Sequence, residues 1–266
     1  MHKIFYIFLF IIFFITRANS DVVKEVKVIN NDRITKETIL VFADIEIGKN
    51  YDSNDLNKIL RDLYNTDFFS DISLSFNDGI LVVDVKENKI IQNIEFNGIK
   101  KKELIEILKK QILSKDKNPF VQTYVKKDIE RIQKILKNSG YYFSSVTDQI
   151  IENDNDTVNI IFNVEIGEKA YIKSIEFIGD KHFKDRILRN IIVSEETKFW
   201  KFITNRKFIN PENIELDKRL LKNYYLNKGF YQVEVNDSLV EFTENNDFKL
   251  SYNINSGPKF IISESK

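Results

Sequence analysis

The chain has 266 residues, with 40 lysines and arginines against 40 aspartates and glutamates, so its formal net charge is zero. This balance disfavours a strongly basic nucleic-acid binder and an acidic solvating tail. With no cysteine and with two histidines, His2 and His182, the chain can form no disulfide and has little material for a histidine-rich metal site. Carboxylate or lysine catalysis stays open, but the composition favours a binding or scaffold role over an enzyme, with no cofactor.

Residues 1–20 have the pattern of a secretory signal peptide. Lys3 gives a positive start, Ile4 to Ile15 are all apolar, and Ala18 and Ser20 place small side chains just before the predicted cleavage site. The apolar run is shorter than the roughly 20 residues that a membrane-spanning helix needs. We therefore expect export, to the periplasm in a host with two membranes; the alternative is an uncleaved anchor.

Residues 21–88 read as a strand, two helices and a hairpin. An alternating strand covers Val26 to Asn30, and a short helical segment covers Thr35 to Phe42. One apolar stripe of a second helix consists of Leu56, Ile59, Leu60, Leu63 and Tyr64. Apolar residues then alternate with polar ones on both sides of the turn at Asn77 to Gly79, which predicts a β-hairpin that closes with Leu81 to Val85.

The same order recurs twice along the chain. The second copy has a strand at Ile94 to Gly98, a helical segment at Lys101 to Leu113, a helix striped by Val125, Ile129, Ile132 and Leu136, and a closing strand at Val158 to Ile166. The third has a strand at Ile175 to Gly179, a helical segment at Lys184 to Ile192, a helix striped by Ile214, Leu221 and Tyr225, and a closing strand at Phe248 to Ile254. Asn210 and Pro211 mark a helix start, and Gly140 and Gly229 follow helix ends.

This recurrence predicts an α+β protein of three tandem β-α-α-β-β domains, each a three-stranded mixed sheet covered on one face by two helices. The predicted boundaries are 21–88, 89–168 and 169–258, after the signal peptide at 1–20. Residues 259–266 resemble the start of a fourth repeat. We therefore expect the chain to be a fragment of a longer protein.

The arrangement resembles polypeptide-transport-associated (POTRA) domains over residues 21–266. In the third copy, the segments 199–202, 208–217 and 220–230 are similar to the third such domain of the BamA family of outer-membrane protein assembly factors. The resemblance implies a periplasmic array that belongs to an outer-membrane protein and precedes a membrane β-barrel. It also implies unfolded outer-membrane proteins, accessory lipoproteins and periplasmic chaperones as partners. Three copies and a stub stand where that family has five domains, and these residues contain no barrel, so barrel insertion itself is not assigned to them.

Two other functions stay open at this point. A TamA-like or two-partner translocation factor also carries such arrays, and the number of repeats before a barrel would distinguish it. A periplasmic hydrolase with a carboxylate pair is the alternative from another class, although nothing in the sequence brings two acids to a common apolar cleft.

The outer strand of each hairpin is the predicted client-binding edge, because an extended chain can add a strand to an open sheet. These strands are predicted at 69–76, 142–151 and 231–242, and the third is favoured. Its client-binding residues are predicted to be Tyr231, Gln232, Val233, Glu234 and Val235. The apolar phase changes near Asn236 and Asp237, which predicts a β-bulge there.

Four smaller features carry weaker predictions. The aromatic residues Phe199, Trp200 and Phe202 lie in a long loop and form a candidate partner patch, or else fill a local core. His182 is interpreted as a loop histidine rather than a ligand. The run 100–102 is interpreted as a solvated helix start rather than a lipid contact. The acids between 152 and 156 lack the glycine and distant glutamate of a calcium loop, so a polar turn is predicted.

Overall fold

The computed structural model describes residues 22–197, 207–242 and 247–261, and of residues 238–242 it describes the backbone alone. The strands in chain order are β1 (Glu25–Ile29), β2 (Phe69–Asn77), β3 (Ile80–Glu87), β4 (Ile90–Asn97), β5 (Ser145–Glu152), β6 (Thr157–Glu165), β7 (Tyr171–Asp180), β8 (Glu234–Phe242) and β9 (Asp247–Asn255). The helices are α1 (Lys36–Phe42), α2 (Ser53–Tyr64), α3 (Lys102–Gln111), α4 (Gln122–Asn138), α5 (Asp185–Arg189) and α6 (Pro211–Leu226). The elements follow the order strand, helix, helix, strand, strand three times, which confirms the predicted fold class.

In the first repeat the closing strand β3 lies at the centre of the sheet. The strand order is β1-β3-β2, with β1 parallel and β2 antiparallel to β3. Both helices begin at side-chain caps, because Thr35 accepts from the amide of Thr38, and Asp52 forms a reciprocal capping box with Asp55. Sequence-local capping therefore fixes where each helix starts.

The core of the first repeat lies between this sheet and its two helices. Alternate residues of β3 are buried, from Leu81 to Val85, and they pack in one cluster with Ile39 of α1 and with Ile59 and Leu63 of α2. Period two in a strand directs every second side chain to one face. The apolar face of the sheet is therefore covered by both helices, as the sequence pattern predicts.

The second sheet has the same strand order, β4-β6-β5, with β5 antiparallel to β6. The predicted alternation in β6 is confirmed, since Val158, Ile160, Phe162 and Val164 are all buried. Gly98, at the end of β4, has φ of 85°, and a β-carbon there would lie 1.9 Å from the carbonyl oxygen of Val164. Only glycine fits this close approach of two backbones.

The third sheet has the order β7-β9-β8, with β7 parallel and β8 antiparallel to β9. Asn210 caps α6 through the amides of Glu212 and Asn213, and Pro211 is the first helical residue, as predicted. The short helix α5 ends at Arg189, earlier than predicted. The chain beyond it turns, because the amides of Val193 and Ser194 donate hydrogen bonds to the buried carboxylate of Asp217.

Contacts divide the chain into two compact units. One comprises residues 22–91 together with 117–121 and contains the first sheet. The other comprises 92–116 and the described residues from 122 to 261, and it contains the second and third sheets. The partition into three self-contained domains stays a prediction. Among the described residues, the helices are too short or too polar to serve as membrane spans.

Candidate binding edge

Among the described strands, β8 is the outer strand of the third sheet and pairs with β9 alone. It begins at Glu234, so the predicted edge strand at 231–242 starts three residues too early. Tyr231 and Gln232 form an exposed turn, and Val233 is buried in the core, with 2% of its surface exposed. The turn is required because the chain must reverse after α6 before it can join the sheet. Of the predicted client-binding residues, Glu234 and Val235 lie in the edge strand.

The predicted bulge near Asn236 and Asp237 is also wrong. The register of β8 against β9 is regular from Glu234 to Val240, and the irregularity falls between Val240 and Phe242. The side chains of Val235 and Asp237 are both partly buried, while those of Glu234 and Asn236 are exposed. The alternation of inner and outer side chains therefore continues through Asp237. Because Asp237 is a charged residue on the inner side, the positions of the apolar residues alone wrongly indicated a bulge there.

Asp237 is accommodated on the inner side by an ion pair. Lys218 of α6 contacts Asp237 at 2.7 Å and Glu215 at 2.6 Å. Partial burial acts to lower the pKa of Lys218, but its hydrogen bonds to the two carboxylates and their charges outweigh burial, and the pKa is raised. The start of β8 is thus attached to α6 while its outer side is left unpaired.

The equivalent edge in the first repeat is partly occupied by the chain itself. The amide of Ile72 in β2 donates to the hydroxyl of Tyr64 at 3.1 Å, so this N–H points away from β3. Tyr64 follows Leu63 in the helix, and the residues at the matching positions of the later repeats are Lys137 and Leu226, which have no hydroxyl. In the described part of β8, the amides of Glu234, Val235 and Asn236 have no side chain bonded to them. The edge of the third repeat is therefore more accessible to a foreign strand than that of the first.

Sequence reasoning missed a pair of buried aspartates that attach helices to loops. Asp217 of α6 is fully buried and accepts hydrogen bonds from the amides of Val193 and Ser194 and, at 2.6 Å, from the hydroxyl of Tyr252. Burial, and then the charge and hydrogen bond of Asp217, raise the pKa of the Tyr252 hydroxyl. This carboxylate connects α6, the loop after α5 and the central strand.

The second repeat has the same arrangement. Asp128 of α4 is fully buried and accepts from the amides of Leu113 and Ser114. Asp128 and Asp217 each lie 12 residues before the glycine that follows their helix, and in the first repeat Asp55 lies 12 residues before Asp67, which also has positive φ. Asp55 serves in the capping box instead. This recurring spacing was the available sequence signal.

The remaining predicted sites have different outcomes. Phe199, Trp200 and Phe202 lie outside the described residues, and so do Ala18 and Ser20. His182 stacks on Phe230, with ring centroids 4.6 Å apart, and its Nε2 lies 3.9 Å from an oxygen of Asp180. Lysines 100–102 are exposed where α3 begins. Within the described ranges, no group of three or more histidine, aspartate or glutamate side chains is arranged to hold a metal ion.

Comparison with known proteins identifies the family of this fold. The POTRA family model, described as surface antigen variable number repeat, matches residues 89–167 and 170–257. The two matched segments cover more than half of the chain. The chain therefore belongs to the POTRA family.

Curated relatives carry the name outer membrane protein assembly factor BamA. The protein of Neorickettsia risticii is 25% identical over 241 residues, which is 91% of this chain and 32% of the relative. That of Buchnera aphidicola is 24% identical over 262 residues, 96% of this chain and 42% of the relative. The crystal structure of BamA POTRA3-5 from Haemophilus influenzae is 18% identical in sequence, and its TM-score is 0.43. The match covers 88% of this chain and 96% of the Haemophilus chain. The chain thus spans about a third of the length of the first curated relatives.

Proposed function

We propose that this chain is the periplasmic receptor and scaffold part of an outer-membrane β-barrel protein assembly factor. It binds unfolded outer-membrane proteins by strand addition and docks accessory lipoproteins. The family match and the BamA names of the relatives support the scaffold role. The observation that favours strand addition in the third repeat is the outer side of β8, which is unpaired among the described residues. Within the same residues, no side-chain hydroxyl accepts from a β8 amide as Tyr64 does from the Ile72 amide in the first repeat.

The direction of the backbone groups supports Val235 and Asp237 as the proposed contact residues. Ile72 of β2 pairs with Val85, the last buried residue of its central strand, and Val235 of β8 pairs with Ile254, the last buried residue of β9. Because the Ile72 amide points outward, we infer that the Val235 amide does so too. Backbone groups alternate in direction along a strand, so Asp237 offers the next outward amide.

Strand addition of this kind gives weak binding that depends little on client sequence. Four to six backbone hydrogen bonds at roughly 0.5 to 1.5 kcal/mol each contribute about 2 to 9 kcal/mol. Association costs roughly 4 kcal/mol or more, so a small net affinity is left. A receptor that passes clients onward needs this weak and general binding.

The experiment is site-specific crosslinking to a client peptide. A photoreactive residue replaces Asn236, which is exposed and lies between the two outward amides, and an unfolded outer-membrane protein segment is the ligand. Val235→Pro removes one outward donor and should lower the crosslinking yield. Val235→Thr keeps the amide and the branched shape, and it is the matched control because it should crosslink like the parent chain.

A second control comes from the first repeat. Ile72→Pro removes the amide at the matching register position, where Tyr64 already takes the hydrogen bond. It should leave client crosslinking at Asn236 unchanged. Equal yields from the Val235→Pro chain and its parent, with both chains folded by circular dichroism, would exclude β8 as the client edge.

The aromatic residues Phe199, Trp200 and Phe202 remain the proposed docking patch for an accessory lipoprotein. Aromatic side chains are enriched in protein interfaces, where they often carry much of the binding energy. Replacing all three by alanine should abolish lipoprotein capture while the β8 crosslink persists. Capture of the lipoprotein at parental levels by the alanine variant would assign docking to another surface.

A further inference from the structure

Two lysines share one aromatic ring at the boundary between the second and third repeats. The ammonium of Lys169 lies 3.9 Å from the ring centroid of Phe208 and 5.2 Å from that of Tyr141. The ammonium of Lys207 lies 5.7 Å from the same Phe208 centroid and 5.9 Å from that of Tyr171. Two positive charges thus converge on one small group of rings.

The backbone holds these rings in place. Phe208 is 8% exposed and forms an isolated bridge with Tyr171, and their ring centroids are 5.1 Å apart. A β-carbon on Gly140 would lie 2.9 Å from Phe208, so the phenylalanine is packed directly on the turn after α4. The amide of Ala170 donates to the carbonyl of Gly140 at 2.9 Å. These contacts hold the rings of Phe208 and Tyr171 together beside the turn after α4.

The described residues give these lysines no carboxylate partner. In the described structure neither Lys169, Lys207 nor the neighbouring Lys101 forms an ion pair with a carboxylate. The sequence from 197 to 211 contains no acidic residue. Burial, and then the positive charges of Lys101 and Lys207, lower the pKa of the Lys169 ammonium. Cation–π attraction compensates part of this repulsion, and a bound anion would relieve the rest.

The available groups are hydrogen-bond donors that suit an oxyanion. Each lysine offers three donors and no acceptor. The hydroxyls of Tyr141 and Tyr171 have no hydrogen-bond partner among the residues that the structure describes, so they are free to donate as well. We propose that Lys169 and Lys207, with the rings of Tyr141, Tyr171 and Phe208, form a binding site for a phosphate group, carried by a soluble phosphate compound or by an anionic lipid.

Inorganic phosphate is the first probe, added to the full chain at low ionic strength with the lysine side chains followed by NMR. Saturable shifts of the Lys169 and Lys207 signals are expected, and bound phosphate should raise the pKa of Lys169, because binding and protonation are reciprocally coupled. Lys169→Gln and Lys207→Gln should each weaken phosphate binding by roughly fivefold or more, since each removes a charge-assisted hydrogen bond.

Lys49 provides the matched control. Its ammonium lies 5.5 Å from the ring centroid of Tyr51, and in the described structure no second lysine lies on that ring. Lys49→Gln should therefore bind phosphate like the parent chain. Thermal unfolding of each variant checks that a loss of binding does not reflect a loss of fold.

Vesicles distinguish the two sources of phosphate. If vesicles that contain phosphatidylglycerol compete with inorganic phosphate and phosphatidylcholine vesicles do not, the ligand is a lipid headgroup. If phosphate binds and neither vesicle competes, the ligand is soluble. Phosphate that causes no saturable shift and leaves the pKa of Lys169 unchanged overturns the site, and so does equal affinity of the Lys169→Gln and parent chains.

Discussion

Replacing the buried carboxylate of Asp217 tests how the third repeat is held together. Asp217→Ala leaves the amides of Val193 and Ser194 and the hydroxyl of Tyr252 without their acceptor. Ser194 and Tyr252 are buried, so water cannot fully replace the lost bonds. A buried donor left unsatisfied costs about 1 to 3 kcal/mol. The two buried donors together therefore cost about 2 to 6 kcal/mol in free energy of unfolding, while the amide of the half-buried Val193 is partly rehydrated and adds little.

Two equivalent aspartates provide a graded control series. Asp128→Ala removes the acceptor of two amides, those of Leu113 and Ser114, and should cost about 2 to 4 kcal/mol. Asp55→Ala removes part of a solvent-accessible capping box and should cost about 1 kcal/mol. Guanidinium denaturation measures each loss, and hydrogen exchange of β9 shows whether the loss from Asp217→Ala is confined to the third repeat. A cost for Asp217→Ala no larger than that for Asp55→Ala would refute this reasoning.

Three further predictions follow from other contacts. Gly140→Ala should destabilise the chain more than Gly167→Ala in thermal unfolding, because both glycines have positive φ but only Gly140 meets a packed ring, and equal losses would contradict this. Glu87→Gln should remove acid sensitivity from the first repeat. Burial acts to raise the pKa of Glu87, but hydrogen bonds from three loop amides and an arginine outweigh burial and lower it. The stabilisation by the Glu87 carboxylate is therefore present above pH 4.5 and is lost as the pH falls. Burial raises the pKa of Tyr225 to about 12 and also raises that of Tyr252, so their stabilisation is present below pH 10 and is lost as the pH rises above it. Guanidinium denaturation should therefore show a free energy of unfolding that falls from pH 10 to 12, and a free energy that stays constant over this range would contradict this.

The fold could be predicted because its elements follow local periods. The alternation from Val158 to Val164 and the glycines after the helices determine strands and helix ends without any long-range information. The site was harder to predict. The turn before β8 places Val233 in the core, and apolar residues alone do not show where an edge strand begins.

Polar contacts that no local sequence pattern specifies explain the other features that the sequence analysis did not predict. Asp217 looks like a surface residue of an amphipathic helix until its loop partners, more than 20 residues away, are known. The Tyr64 hydroxyl on the Ile72 amide depends on how the helix sits over the sheet, which no local pattern specifies. Such contacts decide which sheet edge is open.

Hydrogen exchange along β8 tests the client-binding proposal most directly. An unfolded outer-membrane protein segment should slow exchange at the amides of Val235 and Asp237, since these two donate to the added strand, while the Ile72 amide of the first repeat exchanges as before. Protection that appears at Ile72, or binding of the segment with no change at Val235 and Asp237, would contradict strand addition at this edge.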